Sequence, residues 1–180
     1  VLSTGTYYVS YSIIPGCESA RTAVNVAVFN GVIYVKADAT GDNNGSSWAN
    51  AFTSLQSALE INCALTQDIW VAAGTYKPTT HPSGSFSGQS DPRNRTFQVR
   101  SNTKIYGGFA GNETSLLQRN LVANPSILDG DIGVAGDSTD NCYHVVLVLG
   151  DPFSSGVTID GFHIRNGNAD GLGMIMVTGY

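Results

Sequence analysis

Lys104–Gly130, KIYGGFAGNETSLLQRNLVANPSILDG, is the stretch that decides how this chain folds. Ile105 and Tyr106 favour extended backbone, Gly107 and Gly108 permit a close bend, and a polar detour leads to Ser126, Ile127 and Leu128 before Asp129 and Gly130 turn the chain again. The pattern is strand, sharp turn, detour, strand. It reads as one rung of a coil of strands, and later apolar centres recur at roughly twenty-residue intervals, in the range of stacked repeats. Within the detour, Glu113 and Arg119 are expected to form an ion pair that pins the loop.

Composition agrees with a turn-rich all-β protein. Glycine is abundant, at 21 of 180 residues, and only 13% of residues are charged, whereas helical surfaces are usually covered with Lys and Glu. The net charge of -5 argues against a phosphate-binding surface, so nucleic acid is set aside as a partner. No apolar run is long enough to span a bilayer; the longest, Tyr143 to Leu149, is interrupted by His144. The chain is therefore expected to be soluble, without membrane insertion, and to be a piece of something longer. Cys17, Cys63 and Cys142 have no Cys-x-x-Cys spacing and allow at most one intrachain disulfide. Cys63 with Cys142 is the preferred pair, with free buried thiols as the alternative.

Taken in order, residues 1–30 read as two alternating strands, Tyr7 to Ile14 and Thr22 to Phe29, joined around Pro15, Gly16 and Cys17. Residues 31–180 form a second unit. It opens with a short strand, Val32 to Val35, and a loop rich in Asp, Asn and Gly. Asp38, Asp42 and Asn44 are candidate calcium ligands there, but the spacing lacks the pattern of an EF-hand, and a turn that bonds its own backbone is preferred. Thr53 followed by Gln56 suggests a capping box for a helix from about Phe52 to Leu65. Further strands are expected at Asp68 to Tyr76, Thr96 to Val99, Lys104 to Phe109, Pro125 to Gly130, Tyr143 to Leu149 and Val157 to Arg165, with a long polar detour from Lys77 to Arg95.

Ile33 to Glu60, DIWVAAGTYKPT (68–79), RTFQV (95–99), IYGGFAGNETSLLQRN (105–120), ILDGDIG (127–133), YHVV (143–146) and TIDGFHIRNGNADG (158–171) together resemble the N-terminal part of right-handed parallel β-helix proteins. These are the pectin-lyase-like surface or secreted proteins of Bacteroidetes and related bacteria. The resemblance implies an all-β fold in which a cap helix from about Thr53 closes the first coils, and it fails after Gly171, where LGMIMVTGY (172–180) replaces the glycine-rich start of another coil. Residues 1–30 resemble the last strand pair of the immunoglobulin-like repeats of such proteins; an edge hairpin on the main domain is the alternative.

The fold implied by the resemblance hosts polysaccharide lyases and glycoside hydrolases as well as non-catalytic modules. Asp129 and Asp131 could supply an acid and base or a cation site, although Asp before Gly is ordinary turn chemistry. Asp160, His163 and Arg165 form a second constellation, with His163 and Arg165 on one face of a strand. Trp48, Trp70, Tyr76, Phe86 and Tyr106 could stack on sugar rings where exposed. The reading preferred at this level is a non-catalytic extracellular or cell-surface module acting as a stalk, adhesin or carbohydrate-contacting surface. Its expected partners are polysaccharide or cell-surface glycan, neighbouring modules, and a second copy at an open coil edge. The alternative is the N-terminal part of a polysaccharide lyase or glycoside hydrolase.

Overall fold

The computed structural model describes residues 5–10, 12–14, 17–26, 31–61, 67–82, 90–150 and 156–170. Strands predominate and the fold is all-β with parallel sheets. Near the start, β1 (Gly5–Val9) pairs antiparallel with β4 (Thr22–Val26), and β2 (Ser12–Ile14) with β3 (Cys17–Glu18). Among the described residues neither pair joins the sheets that follow. The alternating apolar residues of this region do not all become core: Tyr8 and Val9 are 66% and 57% exposed.

The remaining strands build three parallel sheets. One has four members, β5 (Val32–Val35), β6 (Gln67–Ala72), β9 (Thr103–Phe109) and β12 (Thr158–Asp160), stacked in that order. A second stacks β7 (Gly74–Tyr76), β10 (Ser126–Asp129) and β13 (Phe162–Arg165), and a third pairs β8 (Phe97–Arg100) with β11 (Val146–Leu149). From β6 to β10 each strand pairs with the one three places further along the chain. The paired positions are therefore far apart: Ile69 lies opposite Ile105, 36 residues on, and Ile105 opposite Ile159, 54 residues on. The twenty-residue spacing expected as the repeat instead separates neighbouring strands that belong to different sheets.

Register sets the core. Ile33, Ile69, Ile105 and Ile159 stand side by side across the four-stranded sheet, the first three at most 1% exposed. Alternation sends the next row, Tyr34, Trp70, Tyr106 and Asp160, to the opposite face. Phe97, Val99, Leu128, Tyr76 and Cys142 complete the apolar centre. On the last strands the corresponding apolar side chains emerge: Val148 beside buried Val99 is 47% exposed, and Ile164 beside buried Leu128 is 51% exposed.

The helix is shorter than its sequence suggests. α1 spans Leu55–Leu59, buries Leu55, Ala58 and Leu59, and packs against β5 and β8. Its N-cap is Ser54, whose side chain accepts from the Gln56 amide at 3.2 Å, and not Thr53, which instead donates to Asn43 Oδ1. Ser54 prevails because Phe52 is held in a parallel bridge to Val35, which leaves the chain extended until residue 54.

Two expected strands are split: Asp68 to Tyr76 breaks at Ala73 into β6 and β7, which belong to different sheets. At Gly161, with φ of +79°, the stretch 157–165 breaks into β12 and β13. Gly107 sits against that corner, where a Cβ would run into the Gly161 carbonyl.

Cys142 is a free buried thiol, which corrects the expected pairing with Cys63. Its position in the apolar centre explains the difference, and Cys63 lies outside the described residues. Burial, then the charge of Asp129, pushes the Cys142 thiol up to about 11, so it is an inert side chain at neutral pH. Among the described residues no helix is long and apolar enough to cross a membrane.

Candidate functional site

Asp129 ends β10 directly opposite Arg165 of β13. The residue is 3% exposed and its carboxylate is fully engaged. Oδ2 accepts from Arg165 Nε at 2.9 Å and Nη2 at 2.7 Å, while Oδ1 accepts from Asn166 Nδ2 at 2.8 Å and from the Asp131 amide at 3.1 Å. Burial by itself would raise the carboxyl's pKa, but these hydrogen bonds and the guanidinium charge hold it below the ordinary value. Asp131 turns away to accept from the Gly136 amide at 2.9 Å and sits 3.6 Å from Lys77 Nζ. The two carboxylates therefore share a corner without sharing a substrate-facing position. A general acid or base works best with a pKa near the operating pH, and Asp129 is shifted the other way.

The second constellation is divided by the Gly161 corner. Asp160 lies on the four-stranded sheet and takes Arg119 Nη2 at 2.9 Å, whereas His163 and Arg165 lie on the three-stranded one. His163 is exposed beside Ile127, and Arg165 is committed to Asp129.

Arg119 also donates to the Leu116 carbonyl at 3.2 Å and lies 5.3 Å from the centre of the Tyr106 ring. The expected Glu113–Arg119 ion pair is replaced by these contacts. Glu113 folds back instead and accepts from the amides of Ala110, Gly111 and Asn112 at 2.6, 2.9 and 3.0 Å. Backbone amides presented together by a glycine turn outcompete a side chain several residues away. Burial opposes ionisation of Glu113, but these amides hold its pKa below the usual value.

In the 38–53 loop the calcium candidates go to different partners. Asp38 pairs with Lys36 at 3.1 Å, the Asp42 amide donates to Asn50 Oδ1, and Asn44 Oδ1 accepts from the Ser46 amide and hydroxyl. Among the described residues no group of three or more His, Cys, Asp or Glu side chains could hold a metal ion.

The aromatic candidates are largely internal. Trp70 and Tyr76 are 7% and 4% exposed, and Trp70 stacks on Phe109 with centroids 4.8 Å apart. Trp48 is half-buried and donates to the Glu113 carbonyl at 2.8 Å, Tyr106 is half-buried beneath Arg119, and Phe86 lies outside the described residues.

Two clefts among the described residues bear on these candidates. One, of about 320 Å³, lies between the C-terminal end of α1, residues 80–81 and β8; its lining includes Gln56, Glu60, His81, Gln98 and Arg100. The other, about 510 Å³ and shallow, runs past Tyr143, His144, Ile164 and Arg165. Neither presents two carboxylates. Gln56 escapes a reading of sequence alone because the capping box accounts for it there. The available signal was a polar side chain among Leu55, Ala58 and Leu59 on the buried side of the helix. No family model, curated protein or solved structure matches this chain.

Proposed function

We propose that the chain is the capped first part of a right-handed parallel β-helix in an extracellular or cell-surface protein, a non-catalytic module that contacts polysaccharide while serving as a stalk or adhesin. The three-place pairing of β6 to β13 and the continuous isoleucine row support a coil whose rungs share one apolar centre. In this reading α1 covers the first rung beside β5, and the exposed Val148 and Ile164 mark the face on which a further rung or a second copy would stack. The described strands before residue 31, which pair with one another, suit the tail of a preceding immunoglobulin-like module.

The non-catalytic reading rests on the way the acidic side chains are used. Asp129, Asp131 and Asp160 each face a cation, and their roles are accounted for by corners of the fold. The test is a polysaccharide array run beside a depolymerisation assay on acidic and neutral polysaccharides. Binding without new reducing ends or unsaturated products is the expected result. Cleavage by the purified chain that is lost in Asp131→Asn would replace this reading with that of a lyase or hydrolase.

A further inference from the structure

We propose that the cleft between α1 and β8 binds a neutral sugar unit, an inference that rests on the carbohydrate contact proposed above and gives it a location. Gln56 is 6% exposed, and its Oε1 has no hydrogen-bond partner among the described residues. A buried amide oxygen left unpaired costs about 1–3 kcal/mol, which a ligand hydroxyl donating to it would relieve. His81 supplies a second acceptor. Its Nε2 lies 2.9 Å from the Asp91 carbonyl, which can only accept, so Nε2 carries the hydrogen and Nδ1 of the neutral ring has a free lone pair.

The remaining lining balances these acceptors. Gln98 and Arg100 lie two apart on β8, on the face opposite buried Phe97 and Val99, and bring amide and guanidinium donors. Among the described lining residues Glu60 brings the one carboxylate and Arg100 the one guanidinium, a pairing that does not favour an anion. Sugar hydroxyls both donate and accept, which suits such a mixed lining, and Leu59 offers an apolar surface for the ring's C–H face. The volume of about 320 Å³ is at the small end for ligand sites, which run to roughly 300–1,000 Å³, and suits a single ring. The 80–81 wall is tied to the residue before β8, where the Thr96 amide donates to the Thr80 carbonyl at 3.1 Å, and the Glu60 side is held within α1, where the Glu60 amide donates to the Gln56 carbonyl at 3.0 Å.

The experiment titrates the chain with glucose, galactose and mannose, and with galacturonate as the acidic comparator, following side-chain amide signals by nitrogen–proton correlation NMR. A neutral sugar should saturably shift the Gln56 and Gln98 amide signals. Gln56→Leu should weaken binding by about tenfold while leaving the melting temperature unchanged or raised, because it removes both the ligand contact and the unpaired oxygen. Arg100→Ala, at an exposed position, serves as the second variant and should also weaken binding; it carries the test alone if Gln56→Leu does not fold. Unchanged affinity in the variants, tighter binding of galacturonate, or no saturable shift with any neutral sugar would each overturn this site. The polysaccharide array decides the broader reading separately: array binding with a silent cleft sinks the site alone, and a blank array sinks both.

Discussion

Asp129 shows how one side chain can be committed to holding a corner of the fold. Removing its carboxylate strands Arg165, Asn166 and the Asp131 amide together. Asp129→Ala should therefore destabilise the protein by about 2–3 kcal/mol at pH 7, read by urea denaturation. Its pH dependence follows from the direction of the shift. The folded carboxyl titrates below its unfolded counterpart, so its contribution is complete above the unfolded pKa of about 4 and declines as pH falls through the folded value. Glu113 acts in the same sense. Wild-type stability should fall off below about pH 4, and Asp129→Asn should flatten that limb. An acid limb of the same steepness in the variant would show that the carboxylate is not linked to folding.

At the scale of the element, α1 tests how a helix start is chosen. Thr53 and Ser54 are both acceptable caps by residue type, and only the extended Phe52 bridge decides between them. Ser54→Ala should cost about 1 kcal/mol through the lost cap, typical for such positions. Thr53→Ala retains the backbone amide that donates to Asn43 Oδ1 and should cost about half as much or less. Equal losses in thermal melts would refute the assignment. The corner at Gly107 is a sharper constraint, since a Cβ there meets the Gly161 backbone carbonyl and the Cβ of buried Ser126, neither of which can swing aside. Gly107→Ala should destabilise by at least about 1–3 kcal/mol, seen as a lowered denaturation midpoint.

At the scale of the molecule, stability should be graded along the isoleucine row. Ile105 is fully buried between neighbouring strands, and Ile105→Ala should cost about 2–5 kcal/mol. Ile159 is only partly buried on the last strand of the row, so Ile159→Ala should cost roughly 1 kcal/mol. Urea midpoints for the two variants check the gradient. Equal losses would mean that β12 is buried as deeply as β9, contrary to the exposure of the last strands.

The sequence by itself determined where most of the extended stretches lie, the turn-rich all-β class and the self-bonded loop at 38–47, because β-branched alternation and Asx or glycine turns are local properties. Even the preference for turn chemistry at Asp129 was legible in Asp-Gly. What only the tertiary structure decided was which strand lies beside which, since partners 36 and 54 residues apart leave no local trace when detours of unequal length intervene. The same holds for Arg119, which reaches Asp160, and for Ser54 displacing Thr53, where Phe52 is bridged to Val35: each choice is made by a neighbour distant in sequence, whereas Glu113 folds onto the turn just before it. KIYGGFAGNETSLLQRNLVANPSILDG thus carries its strands and bends in its own residues. That Gly107 lies against Gly161, and that Arg119 reaches Asp160, follows only when the sheets close upon one another.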